Sequence, residues 1–292
     1  MRIVFDKGLA GGADEASAVA LTADNDLSHL TGGWYKVESD LTLYHTVNLH
    51  GDTHITIATG KTLTVSTSGE YGISGSALTV SGEGTLNVSA NDRAISVDNY
   101  TQMGCAVTLS GKYYGLHAKN NVSISGGSLT TSGATYGIDT DNGSITISGG
   151  TVSSSGDSAG LYANKAVSIT GGTVSASGDN YGIRGLSVSI TGGQVTASSS
   201  GIMSNYGDIT LGWTSATDYI TASGYVLQND GFYVKIADGQ TLYGGGFPSA
   251  SYKGTVDDPS ALNGLMLRPT AAVTESGTNE YTIWNAAGWD AF

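Results

Sequence analysis

One cysteine, three prolines and twelve basic residues are all that a chain of 292 residues contains of those types. Cys105 has no partner for an internal disulfide, so no covalent staple holds the fold. It shares the parity of Val107 and Leu109 and is expected to point inward as a small apolar residue. Charged residues make up 13%, about half the share of an ordinary globular domain. Twelve Lys and Arg against 25 Asp and Glu leave a formal net charge of -13. That balance argues against nucleic-acid partners, which need cations to neutralise phosphate. It also argues against adhesion to anionic membranes by charge. No apolar run reaches the length of a membrane-spanning helix, so no membrane insertion is expected. The opening Met1-Arg2-Ile3-Val4-Phe5-Asp6 is too short an apolar run for a signal peptide. Hydrophobic residues at 39% exclude a disordered chain, which would have little to bury.

What the sequence does have is glycine, at 44 residues, and repetition. The triplets Val122-Ser123-Ile124, Ile145-Thr146-Ile147, Val167-Ser168-Ile169, Val188-Ser189-Ile190 and Ile209-Thr210-Leu211 recur about every 22 residues. A period of that size marks an array whose units bury their apolar faces only against one another. Within residues 166–185, Val167-Ser168-Ile169 alternates as a strand with one buried face. Gly171-Gly172 permits a tight corner with positive φ. Thr173 to Ala176 is a second strand, Ser177 to Asn180 a turn, and Tyr181 to Arg184 a third strand.

Three short strands per period, recurring at the same place, predict an all-β parallel β-helix whose coils advance by roughly 4.8 Å. Right-handedness follows from the usual hand of parallel crossovers. The leucine-rich repeat has a similar period, but its Leu-x-x-Leu-x-Leu pattern is absent. The expected inner ladders are Leu78, Val107, Val122, Ile145, Val167, Val188 and Ile209; Leu86, Leu129, Val152, Val174 and Val195; and Ile73, Ile95, Leu116, Ile138, Leu161, Ile183 and Ile202. Residues 1–54 read as an N-terminal cap with an irregular first coil, partly helical between Ala13 and Leu30. Residues 55–212 read as the regular solenoid, 213–280 as closing coils and cap, and 281–292 as the start of a following module. Trp289 and Phe292, three apart, suggest an amphipathic helix just beginning.

The phrase Ile169-Thr170-Gly171-Gly172-Thr173-Val174-Ser175-Ala176-Ser177-Gly178, with Tyr181-Gly182-Ile183, resembles the β-helical repeats of secreted and surface-anchored bacterial proteins of the pectin-lyase-like superfamily. Many of those are carbohydrate-binding or adhesin-like. The resemblance covers residues 55–212 and specifies a fold more than a function. It implies an extracellular or cell-surface module, with a polysaccharide or cell-surface glycan as partner.

Several motifs invite chemistry. Gly156-Asp157-Ser158-Ala159-Gly160 has the spacing of a nucleophile elbow. Ser158, however, occupies a turn position that Thr135 and Asn180 fill in the neighbouring coils, and the elbow needs a helix after its strand. No catalytic residue is assigned. His29, His45, His50, His54 and His117 show no zinc-like or triad-like spacing. Asp139 and Asp141, with Asn142, form an oxygen-rich stretch for which calcium is the candidate cofactor. The plainer reading is turn aspartates that hydrogen-bond their own backbone, as for Asp157 and Asp179.

Tyr71, Tyr114, Tyr136 and Tyr181 precede the third-strand glycine of their coils, and Tyr162 follows Leu161. With His117 and Arg184, from the variable outward rank Ser74, Ser96, His117, Asp139, Tyr162, Arg184 and Met203, they form the candidate glycan face. The competing reading has the rings stack on one another at a corner and cover the tube. Outward Thr56, Thr79, Thr108, Ser123, Thr146, Ser168, Ser189 and Thr210 form a hydroxyl rank that resembles ice-binding β-helices; such residues also simply suit exposed strands. The expected function is a non-catalytic, monomeric bacterial surface module for glycan binding or adhesion, cut from a longer chain. The alternatives are a polysaccharide lyase or hydrolase, which needs clustered carboxylates, and a spacer without a ligand.

Overall fold

A computed structural model describes residues 8–198, 201–228, 233–245, 249–269, 273–277 and 280–283. It is a β-solenoid of about 9 turns of roughly 22 residues each, with almost no helix. Each turn contributes three strands, and equivalent strands pair in parallel with their counterparts in the turns before and after. The first-strand stack runs from Val19–Ala20 to Val234–Ile236, the second from Leu41–Leu43 to Tyr219–Ala222, and the third from His29–Leu30 to Tyr225–Gln228. In two turns the first and second strands run on as single bulged segments, Ala166–Ser177 and Ser187–Ala197.

Alternation accounts for this arrangement. The three-residue first strands send their outer two residues into the tube and their middle residue out, as in the buried–exposed–buried Ile145-Thr146-Ile147. The third-strand ladder is continuous in register, from Ile73 through Ile95, Leu116, Ile138, Leu161 and Ile183 to Ile202. All seven are essentially inaccessible. At about 1.5–3 kcal/mol for each fully buried aliphatic side chain, these ladders are the main source of stability.

The first and second ladders need one correction. Val107 is in the second ladder, between Leu86 and Leu129. Its place in the first ladder is taken by Tyr100, between Leu78 and Val122. The strand Tyr100–Gln102 buries both Tyr100 and Gln102. The Tyr100 hydroxyl donates to Gln102 Oε1 at 3.0 Å, and Gln102 Nε2 donates to the carbonyl of Ser128 at 3.0 Å, so the polar rung is internally satisfied. The outward hydroxyl rank shifts likewise. Thr56 pairs with Ser81 and Thr108 with Thr130, leaving His54 and Thr101 in the rank with Thr79 and Ser123.

Parallel stacking begins upstream of residue 55, since Gly33–Val37 already pairs with Thr53–Ile57 and Val19–Ala20 with Tyr35–Lys36. The helix expected between Ala13 and Leu30 is replaced by turns and two short strands. The physical reason is side-chain capture of backbone donors: Asp14 Oδ1 accepts from Ser17 N–H and Asn25 Oδ1 from Thr22 N–H, which competes with a helix. At the far end, Met266–Leu267 runs antiparallel to Ile220–Thr221, and a 3₁₀ turn at Pro259–Leu262 is capped by the Asp258 side chain. An antiparallel strand there ends the parallel ladder. The helix start suggested by Trp289 and Phe292 lies outside the described residues.

Candidate functional site

The third strands place the candidate residues. Just before a buried glycine, or Ala94 in one turn, register aligns Tyr71, Arg93, Tyr114, Tyr136, Ala159 and Tyr181 in successive turns. Just after the ladder aliphatic it aligns Ser74, Ser96, His117, Asp139, Tyr162, Arg184 and Met203. The tyrosine row is thus interrupted twice, and each gap is filled. At the first, the Arg93 guanidinium carbon lies 5.8 Å from the Tyr71 ring centroid and 4.8 Å from that of Tyr114. Beside the second, at Ala159, the Tyr162 ring of the neighbouring row stacks on Tyr136 at 4.8 Å and 14°. The Arg184 guanidinium then lies 5.3 Å from both Tyr162 and Tyr181. A run of three rings, Tyr114, Tyr136 and Tyr162, is thus flanked by the Arg93 and Arg184 guanidinium groups, in contacts favourable by about 0.5–2 kcal/mol each. The rings do stack on one another, and all five tyrosines stay half-buried rather than covered.

His117 sits beneath this surface. Its Nδ1 faces Arg93 Nη1 and Ser96 Oγ, both at 3.3 Å. Its Nε2 lies 3.1 Å from Asp141 Oδ2 and 3.6 Å from Asp139 Oδ2. A donor on the Arg93 side favours an acceptor at Nδ1, which puts the imidazole proton on Nε2, facing the two carboxylates. Although outward from the tube, His117 and Asp139 are closed off, with side chains 9% and 7% exposed, whereas Asp141 is 54% exposed. Burial, then the nearby Asp141 charge, pushes the Asp139 carboxyl up to about 7, with Arg93 opposing. Burial, then the Arg93 charge, holds the His117 imidazole below its ordinary range, and the hydrogen bond to Asp141 partly offsets them.

The periodic spacing hid this cluster. His117 and Asp139 are 22 residues apart, a distance without meaning for a local metal motif but equal to one turn. The absence of a zinc-like or triad-like spacing around His117 therefore did not mean the absence of neighbours, which lie one turn away. Three others also pair across rungs: His29 stacks on His50 at 5.2 Å, and His54 on Trp34 at 4.2 Å. Arg93 and Ser96 complete the site; their signal was position, each being the one-turn neighbour of an already suspected residue. Asn142 is exposed on the rim of a cleft of about 270 Å³ that also touches Ser96, Lys119 and Asp141. Asp157 and Asp179 are exposed turn residues. Ser158 sits in the turn between Thr151–Gly156 and Ala159–Ala163, with a strand rather than a helix after it.

A sugar-binding surface needs aromatic faces and planar hydrogen-bonding groups in a line, and this row supplies both. A family model described as "Carbohydrate-binding domain-containing protein" matches residues 44–244, more than half of the chain and all of the site. The chain belongs to that family. No curated protein and no solved structure matches it at a significant level. Membership in the carbohydrate-binding family joins the β-helix to a glycan partner. Among the described residues no helix is long and apolar enough to cross a membrane.

Proposed function

We propose that this chain is a non-catalytic glycan-binding module that works at a bacterial cell surface, holding an extended polysaccharide along the third-strand face. The observation that supports this reading is the run of rings and guanidinium groups from Tyr71 to Arg184, set on rungs roughly 4.8 Å apart. That spacing is close to the length of one sugar residue, so successive sugars of an extended chain meet equivalent positions on successive turns. Tyrosine offers a flat apolar ring and a hydroxyl at its tip. The low charge, the acidic balance and the likeness of the repeats to secreted bacterial β-helices support the exterior location.

A glycan array followed by titration of the best binder tests it. Replacing Tyr136 and Tyr162 together by alanine removes the stacked pair and is expected to weaken binding at least tenfold, with the β-sheet spectrum unchanged. Unaltered affinity in that double variant would move the glycan to another face.

Polysaccharide cleavage is the second reading, and one observation favours it: Asp139 and Asp141 offer ligand oxygens within 4.8 Å of each other, one buried and one exposed. A pair of carboxylates in unlike environments is what glycoside hydrolysis uses. The burial of Asp139 works against it, because a general acid must reach the glycosidic oxygen. A reducing-sugar and unsaturated-product assay on the bound glycan decides between the readings; turnover would replace the binding module by an enzyme.

A further inference from the structure

We infer that His117, Asp139 and Asp141 bind a divalent transition-metal ion of the zinc class. One ligand atom from each residue lies within 4.8 Å of the other two. The separations from His117 Nε2 are 3.1 Å to Asp141 Oδ2 and 3.6 Å to Asp139 Oδ2. With an ion about 2.1 Å from each ligand, tetrahedral or octahedral neighbours stand about 3.0–3.5 Å apart. The two separations from His117 are therefore already close to coordination edges, and the third, between the two carboxylates, is within 4.8 Å.

Two further observations point to a ligand at this place. Asp139 is a carboxylate with only 7% of its side chain exposed, and among the described residues no side chain donates a hydrogen bond to it; the backbone N–H of Thr140 is its one donor. A buried carboxylate so thinly satisfied is costly, and a cation at its free oxygen removes that cost. Two of the three ligands, His117 and Asp141, also line the cleft of about 270 Å³ beside Ser96, Lys119 and Asn142, which leaves room for water or a ligand oxygen next to them. Three protein ligands with an open position is the pattern of a reactive or exchangeable site rather than a closed structural one.

The outer shell also fits. When Nε2 ligates a metal, Nδ1 carries the imidazole proton and needs an acceptor; Ser96 Oγ lies 3.3 Å away and can accept it. Arg93 Nη1, also 3.3 Å from Nδ1, must then turn toward the rings of Tyr71 and Tyr114 that flank it. The carboxyls of Asp139 and Asp141 converge on the His117 imidazole from one side, so a doubly charged ion would relieve the repulsion between them. The imidazole and the low ligand count set the choice of metal. Calcium takes six to eight oxygens, whereas one imidazole with two carboxylates suits zinc and its first-row neighbours.

The site is independent of the glycan reading, and its test uses no sugar. The 292-residue chain, stripped with a chelator, is titrated with Zn²⁺ by calorimetry, and with Co²⁺ while its visible absorption is followed. Expected are one equivalent of Zn²⁺ per chain, a d–d spectrum of low-coordinate Co²⁺, and no displacement by equimolar Ca²⁺. The exposed Asp141→Asn and the buried His117→Gln should each weaken Zn²⁺ at least tenfold. Asp141→Asn keeps the test sound should His117→Gln fail to fold. Absence of saturable uptake would overturn the assignment, as would uptake that both variants leave unchanged. Loss on His50→Ala instead would place the ion on the His29–His50 stack and equally overturn it.

Discussion

Single residues at the corners decide whether the coils can stack. Gly127, Gly150, Gly172 and Gly193 immediately precede the second strand in successive turns, and all have positive φ, between 74° and 89°. A Cβ on Gly172 would stand 2.7 Å from the Gly150 carbonyl oxygen of the turn below. Gly172→Ala therefore meets both the left-handed backbone penalty and a backbone clash. A loss of about 2 kcal/mol is expected, read as a lower midpoint in urea unfolding at unchanged slope. Cys105 occupies the same corner one turn earlier, with φ of 63°, the one positive value at a described non-glycine residue. It is buried as expected, but by the corner rather than by strand parity. Its thiol donates to the Ser81 carbonyl at 2.7 Å, and burial pushes the thiol up, away from reactive thiolate.

At the scale of the strand, stability lies in the inward aliphatics and function in the residues that alternate with them. Ile138 is fully buried between Leu116 and Leu161, and its outward neighbour is Asp139. Ile138→Ala opens a cavity in a narrow, stacked tube, where relaxation is limited; about 3 kcal/mol of stability should be lost, measurable by thermal or urea unfolding. A loss well under 1 kcal/mol would mean that the ladder does not hold the coils. The ladders were legible from sequence because alternation with a 22-residue period leaves little choice of register. Legibility failed at Tyr100–Gln102, where an inward glutamine breaks the apolar pattern and Val107, the next apolar residue, drew the assignment. The functional rank was legible in part. His117 and Asp139 fell at the same position of consecutive repeats, but what buries them and brings Asp141 within 3.1 Å is side-chain packing that a repeat alignment does not contain.

At the scale of the molecule the solenoid is nearly one-dimensional: each turn touches only its neighbours, so stability is close to a sum of turns and interfaces. That property allows the two functional assignments to be separated. Thr173 pairs with Gln194, an offset of 21 residues, and Gly172 and Gly193 are equivalent corners. Deleting residues 173–193 joins Gly172 to Gln194 and removes one turn while keeping every remaining strand in register. The turn lost carries Tyr181 and Arg184; His117, Asp139, Asp141, Tyr136 and Tyr162 keep their neighbours on the N-terminal side. The shortened chain should therefore unfold in one transition with a β-sheet spectrum, bind Zn²⁺ with the affinity of the full chain, and bind glycan more weakly by the contribution of one turn. An unfolded product would show that the turns are not interchangeable, and undiminished glycan affinity would confine the sugar to the turns below residue 173.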